Sequence, residues 1–385
     1  MQTYKRLPIQ ISKAEGCYLY DNNGNKYIDF LAGIAVNALG HSHPGIINAV
    51  CDQMNKYMHV SNYFYQKPQI ELAEALLKKS GYNKVFFTNS GTESIEGALK
   101  MTRRWANQNS KYEIISFNGG FHGRTYGALS LMNKPHYKDN MGPFLPNIKI
   151  IDYNNTSELE KNISNNTAGI FLEFIQGEGG LRLAEPDIID KIFDLKKEYG
   201  FLVIADEIQS GVARTGKFFA FDHYEVKPDI ITMAKGIGGG LPLGAILVSE
   251  KLADIFEPGM HGTTYGGNAL SCCAGKVVLD ELTDEFLVDV NEKGIKLKRS
   301  LEEVRNKFPS YIKEIRGMGL MLGLLLNFDA SLLVSELIEH RIITNAASGN
   351  VLRLVPPLTI TEKEIISLRK ALDSSLQELI SEKKV

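Results

Sequence analysis

The chain has little of what would mark a protein for the cell exterior, a membrane or nucleic acid. Only four cysteines stand in 385 residues, at Cys17, Cys51, Cys272 and Cys273. The last two are adjacent, with no CxxC spacing and no histidine-rich segment nearby, so no metal site is expected there. Reduced, partly buried thiols of a cytoplasmic protein are expected instead. No apolar run approaches the ~20 residues of a membrane span. The opening MQTYKRLPIQIS lacks an apolar core of signal-peptide length. Charge of one sign is missing too: the formal net charge is −2, which builds in no attraction to nucleic acid or an anionic membrane. Neither a complete P-loop nor a G-x-G-x-x-G pattern occurs, which argues against an NTPase or a Rossmann dehydrogenase. Repeats and low-complexity tracts are also absent.

What remains is an ordinary globular composition, 44% hydrophobic and 23% charged, at a length that suits two domains. Near the start, Tyr18–Tyr20 and Lys26–Phe30 flank Asp21-Asn22-Asn23-Gly24-Asn25, a hairpin pattern in which Asn-Gly supplies positive φ. Seven short apolar runs follow: Val85–Thr88, Glu113–Phe117, Ile148–Tyr153, Gly169–Phe174, Leu202–Ala205, Ile230–Met233 and Ala245–Val248. Helical stretches at Ile70–Lys79, Glu93–Asn107 and Ile188–Tyr199 lie between several of them, as in an α/β fold with a mostly parallel sheet. Beyond Val278 come long charged helices near Leu287–Lys307 and Thr361–Glu382, with strands expected at Gly319–Leu326 and Val351–Leu354. The reading is an N-terminal segment 1–55 packing with a smaller α+β domain at 278–385, and a large domain at 56–277.

Several short strings carry possible chemistry. Asn89-Ser90-Gly91-Thr92-Glu93 follows a strand and opens a helix, where free amides and the helix dipole suit a phosphate; an ordinary N-cap reads the same way. Phe121-His122-Gly123-Arg124-Thr125 could stack on a planar ring and bind a carboxylate, although His122 could equally be a packed core histidine. Leu202–Gln209 delivers Asp206 at the carboxyl end of an apolar strand, where a buried carboxylate requires a cationic partner. In Thr232–Gly240, Lys235 leaves a strand for a glycine-rich turn, and desolvation there would make its amine a nucleophile. Ile175–Gly180 contains Glu178, and Val351–Leu354 contains Arg353; these are either a structural ion pair or substrate contacts. His41-Ser42-His43 lacks further ligands at zinc spacing.

Together these strings resemble the class III, fold-type-I aminotransferases, in particular the acetylornithine aminotransferases. The likeness runs in order from about Gly16 to Pro357, through Gly33–His41, Ser61–Tyr65, Phe121–Thr125, Ile175–Gly180, Asp206–Gln209, Ala234–Gly240 and His261–Asn268. The resemblance implies pyridoxal 5′-phosphate as cofactor, bonded covalently to Lys235, which then shuttles the reacting proton. It also implies Asp206 at the pyridine nitrogen, Gln209 at the ring hydroxyl, Phe121 and His122 against the ring, and Ser90, Gly91 and Thr92 at the phosphate. Thr264 would reach the phosphate of a neighbouring subunit, making an active homodimer. Arg124, Arg353, Glu178 and Thr263 would meet the substrates, N-acetyl-L-ornithine and 2-oxoglutarate, with Glu178 releasing Arg353 between half-reactions. Succinyl-diaminopimelate is a further donor that the resemblance leaves open. Ornithine aminotransferases carry a tyrosine where this chain has Ile34, which favours an N-acylated donor. Ser94, where alanine is more usual, is expected to matter little. The alternatives are a 4-aminobutyrate or ornithine ω-aminotransferase, and a catalytically silent cofactor-binding regulator.

Overall fold

The computed structural model describes all 385 residues. Seven strands form the main sheet, in the order Lys84–Thr88, Gly244–Val248, Ile230–Met233, Leu202–Asp206, Thr167–Leu172, Glu113–Phe117, Ile148–Ile151. All run parallel except Gly244–Val248, which is antiparallel to both its neighbours. The seven expected runs are thus the seven strands, with ends shifted by a few residues.

The continuous apolar runs follow from burial on both faces. Leu202, Ile204, Ile230 and Ile246 point to one side, where they pack with Ile95, Ala98 and Leu99 of the helix Gly91–Gln108. Val203, Ala205, Ile231, Ala245 and Leu247 point to the other, into a larger core shared with Ile188, Ile192, Leu72 and Leu76. Close approach of the first helix depends on Gly97, where a Cβ would lie 2.3 Å from the Ile246 Cδ1 atom.

The C-terminal third builds a four-stranded antiparallel sheet, ordered Ile312–Met318, Met321–Leu326, Val351–Leu354, Asn345–Ala347. The helix Asp284–Lys307 packs on Ile312–Met318, and Glu362–Ser381 packs in turn on that helix. Ile312–Met318 carries Lys313, Glu314 and Arg316 and reads as polar, which hid it in the sequence. The N-terminal hairpin is present as Tyr18–Asp21 and Lys26–Asp29, with an unforeseen outer strand at Ile11–Glu15. Lys26–Asp29 pairs in parallel with Ile342–Ile343. Its turn differs from expectation in one respect: Gly24 alone takes positive φ (+79°). The Asp21 carboxylate shapes the rest by accepting from the Asn23 and Asn25 amides at 2.9 and 2.8 Å. No helix is long and apolar enough to cross a membrane.

Candidate active site

Parallel strands deliver their carboxyl ends to one edge of the sheet, and five of them end in chemistry. After Thr88, Ser90 caps the helix Gly91–Gln108 by accepting from the Glu93 amide at 3.4 Å. The Glu93 carboxylate accepts in turn from the Asn89 amide at 2.7 Å. The first amides of the helix, those of Gly91 and Thr92 included, have no intrahelical acceptor, and both residues line the cleft. A Cβ on Gly91 would lie 2.8 Å from Ile208, so only glycine leaves this cup open. Behind it, the Ser94 hydroxyl is buried, 2.7 Å from Thr88 Oγ1, and donates to the Met233 carbonyl at 3.1 Å. Ser94 therefore ties the cup to the strand that delivers Lys235.

Two further strand ends place Phe121-His122 and Glu173. The His122 Nδ1 lies 2.7 Å from an Asp206 carboxylate oxygen, both side chains buried. Burial pulls the imidazole pKa down, but the Asp206 carboxylate more than reverses this and holds it above the usual range. The other Asp206 oxygen accepts from the Ile208 amide at 3.1 Å. Glu173 accepts from the Phe121 amide at 2.8 Å, and burial raises its pKa to about 7.

Lys235 follows Met233 in left-handed backbone, φ +50°, a conformation stored preferentially at functional sites. Its pKa is lowered to about 8, first by burial and then by the Arg353 charge, against weaker opposing pulls from Glu178, Asp206 and Glu173. A substantial fraction of neutral amine is thus available near neutrality, as a nucleophile or proton carrier requires.

At the other side of the cleft, Arg353 is 1% exposed and capped by an ion pair with Glu178. It also donates to Asn345 Oδ1 at 3.1 Å and to Gln209 Oε1 at 3.3 Å. Burial opposes ionisation of Glu178, yet the Arg353 charge lowers its pKa overall. Arg124 is exposed at the mouth, its guanidinium 3.6 Å from the Tyr137 ring centroid and 5.7 Å from that of Phe121.

The cleft encloses about 460 Å³. Ser90, Gly91, Thr92, Phe121, His122, Arg124, Glu178, Gln209 and Lys235 all line it, so these expected residues are brought together. Asp206 sits just behind, bonded to His122. Arg353 also lies behind, screened by Glu178. Thr263 and Thr264 stand apart: Thr263 Oγ1 accepts from Asn89 Nδ2 at 3.2 Å outside the cleft, and Thr264 is exposed. Ile34 is likewise not among the residues lining the cleft, where Val36 stands. Sequence reasoning missed Ile208 and Glu173. Ile208 lies beside Gln209 and Glu173 ends an apolar run, and neither apolar character nor a lone acid distinguished them.

A planar pyridine ring with a phosphate arm fits this set. The helix terminus suits the phosphate, Phe121 and Ile208 offer apolar surfaces, the Asp206 carboxylate, held by His122, supplies negative charge, and Lys235 supplies an amine.

The "Aminotransferase class-III" family profile matches residues 1–376. The chain is 44% identical over 384 residues to the acetylornithine aminotransferase of Caldanaerobacter subterraneus, covering 98% of this chain and 97% of that one. It is 41% identical to that of Methanocaldococcus jannaschii, covering 98% and 96%. Among solved structures, the Toxoplasma gondii ornithine aminotransferase superposes with a TM-score of 0.95 at 33% identity, covering 100% of this chain and 93% of that one. The Stenotrophomonas maltophilia N-acetylornithine aminotransferase gives 0.86, also at 33% identity, covering 99% and 98%. Matched along nearly its whole length in sequence and in fold, the chain belongs to the class III aminotransferases.

Proposed function

We propose that this transaminase moves the terminal amino group of N-acetyl-L-ornithine to 2-oxoglutarate, as a cytoplasmic homodimer serving arginine biosynthesis. Pyridoxal phosphate, when bound, supplies an electron sink that makes the proton on the reacting carbon removable. This chain's residues supply the remainder. The Lys235 amine carries that proton from one carbon to the next. Asp206, oriented by His122, holds a positive charge on the pyridine nitrogen. Gln209 meets the ring hydroxyl, while Ser90, Gly91 and Thr92 receive the phosphate.

The observation that carries the substrate reading is the pair of arginines at two depths. An ω-amino donor reacts far from its own carboxylate, whereas 2-oxoglutarate reacts beside one. Arg124 at the mouth suits the former. Arg353, deep and capped by Glu178, suits the latter once Glu178 moves away. Each charge-assisted arginine–carboxylate bond is worth about 1.5–3 kcal/mol. The identity of the donor is taken from the relatives named above.

The dimer reading rests on surface chemistry. Tyr63 and Tyr65 are 95% and 99% exposed, with Phe64 and Tyr265 also outside. The Asn62 amide donates to the Thr263 carbonyl at 3.1 Å, which joins this aromatic loop to the one bearing Thr264. A second subunit would cover the aromatics and could receive Thr264 at its phosphate cup.

The test is the absorbance spectrum of the holoenzyme before and after N-acetylornithine, with Lys235→Ala alongside. Loss of the visible band with N-acetylornithine supports the reading. Loss only with free ornithine moves the donor to the class represented by the Toxoplasma structure, and loss only with 4-aminobutyrate moves it to that donor. No band after reconstitution would overturn the reading.

A further inference from the structure

The exchange at Arg353 leaves a charge without a partner. For Arg353 to bind an incoming carboxylate, Glu178 must release it, and the Glu178 side chain is only 25% exposed where it sits. An uncompensated buried charge costs several kcal/mol, so a release with nowhere to go would suppress the acceptor half-reaction. A second cation beside Glu178 would lower that cost.

One residue satisfies this by position. Lys134, at the start of a short helical turn Pro135–Lys138, is half-buried and forms no ion pair. Its Nζ donates to the backbone carbonyl of Glu178 at 3.2 Å. It also lies 5.9 Å from the Phe121 ring centroid and 5.9 Å from that of Tyr137. The other nearby cations are committed. Arg353 is the group being vacated, Arg124 is packed on Tyr137 at the mouth, and Lys235 is required for chemistry. Because Lys134 already holds the Glu178 backbone, rotation of the Glu178 side chain can bring its carboxylate to the same ammonium without moving the main chain. Burial lowers the Lys134 pKa overall, while the Glu178 and Glu173 charges favour its ammonium and those of Arg124 and Arg353 oppose it.

We propose that Lys134 is a positioning residue, the cation that receives the Glu178 carboxylate when Arg353 is handed to the dicarboxylate acceptor. This rests on the Glu178 release described above and adds its destination. Lys134 touches neither the reacting carbon nor the cofactor in this scheme.

The test uses holoenzyme and separates the two half-reactions by absorbance. With Lys134→Met, KM for 2-oxoglutarate should rise about tenfold while the donor half-reaction stays within about twofold. Calorimetric binding of glutarate, an unreactive dicarboxylate, should weaken by a similar factor. Lys134→Arg, which keeps a cation, should restore both. In a Glu178→Ala background the Lys134→Met change should have no further effect, since there is no carboxylate to receive. Equal losses in both halves, absence of rescue by arginine, or an undiminished effect without Glu178 would each overturn the proposal. The underlying reading fails separately: it is lost if Glu178→Ala alone impairs donor and acceptor halves equally, rather than the donor half selectively.

Discussion

Lys235 and Glu207 show how burial sets the behaviour of single residues in opposite ways. Burial and the Arg353 charge lower the Lys235 pKa to about 8. Before the cofactor is bound, about half its amine is then neutral at pH 8, against under about 1% for an ordinary lysine. Uptake of pyridoxal phosphate by the cofactor-free protein should therefore accelerate with pH around an apparent value of about 8. A rise centred near 10 would mean that the amine is solvated. Glu207 is the neighbour of Asp206 yet faces away from the cleft. It accepts from the Ser210 hydroxyl at 2.7 Å and from the Ala220 and Phe221 amides, both at 3.0 Å. Burial raises its pKa to about 7, so the protonated form is favoured in the fold relative to the unfolded chain. Its contribution is complete below about pH 4.5 and is lost as pH rises through about 7. Glu207→Gln should flatten the stability profile across that window, measured by thermal unfolding at a series of pH values. Glu207→Ala strands three buried donors and should cost on the order of 3 kcal/mol. An unchanged pH profile in the glutamine variant would show that Glu207 does not titrate there.

Among the elements, the junction of Lys84–Thr88 with Gly91–Gln108 carries the most consequence. The cup stays open because Gly91 has no side chain, and Ile208 from another strand end fills the space a methyl would take. Overpacking costs about 1–3 kcal/mol, here at the point where a phosphate would dock. Gly91→Ala should weaken retention of pyridoxal phosphate by roughly tenfold or more, read by dialysis and the visible band, with the fold intact by circular dichroism. Retention equal to that of the parent protein would mean that the phosphate lies elsewhere. This junction was legible in the sequence because strand, serine cap and glycine are contiguous. The polar strand Ile312–Met318 was not, because its outward residues break the apolar pattern and its place is decided by pairing with Met321–Leu326.

For the whole molecule, the exposed aromatics are the feature a lone chain leaves unexplained. Tyr63, Phe64, Tyr65 and Tyr265 together make a patch that water does not favour. The dimer proposed above predicts sedimentation at twice the mass of one chain, and a shift toward monomer for Tyr63→Asp/Tyr65→Asp. Activity should fall with dimerisation if Thr264 completes the partner's site. A fully active monomer would remove Thr264 from the chemistry.

Local pattern was sufficient for whatever depends on neighbours in the chain. The seven buried strands show as apolar runs because both their faces are covered, and Lys235, Asp206 and the Ser90–Thr92 cup each stand beside a strand end visible in the string. Tertiary structure alone decided which distant residues meet. It put His122 on Asp206 and slid Ile208 under the cup. It also set Lys134 against the Glu178 backbone, and left Thr263 and Thr264 outside the cleft of their own subunit. Those contacts follow from strand order and helix packing, which join residues far apart in sequence, and no local periodicity records them.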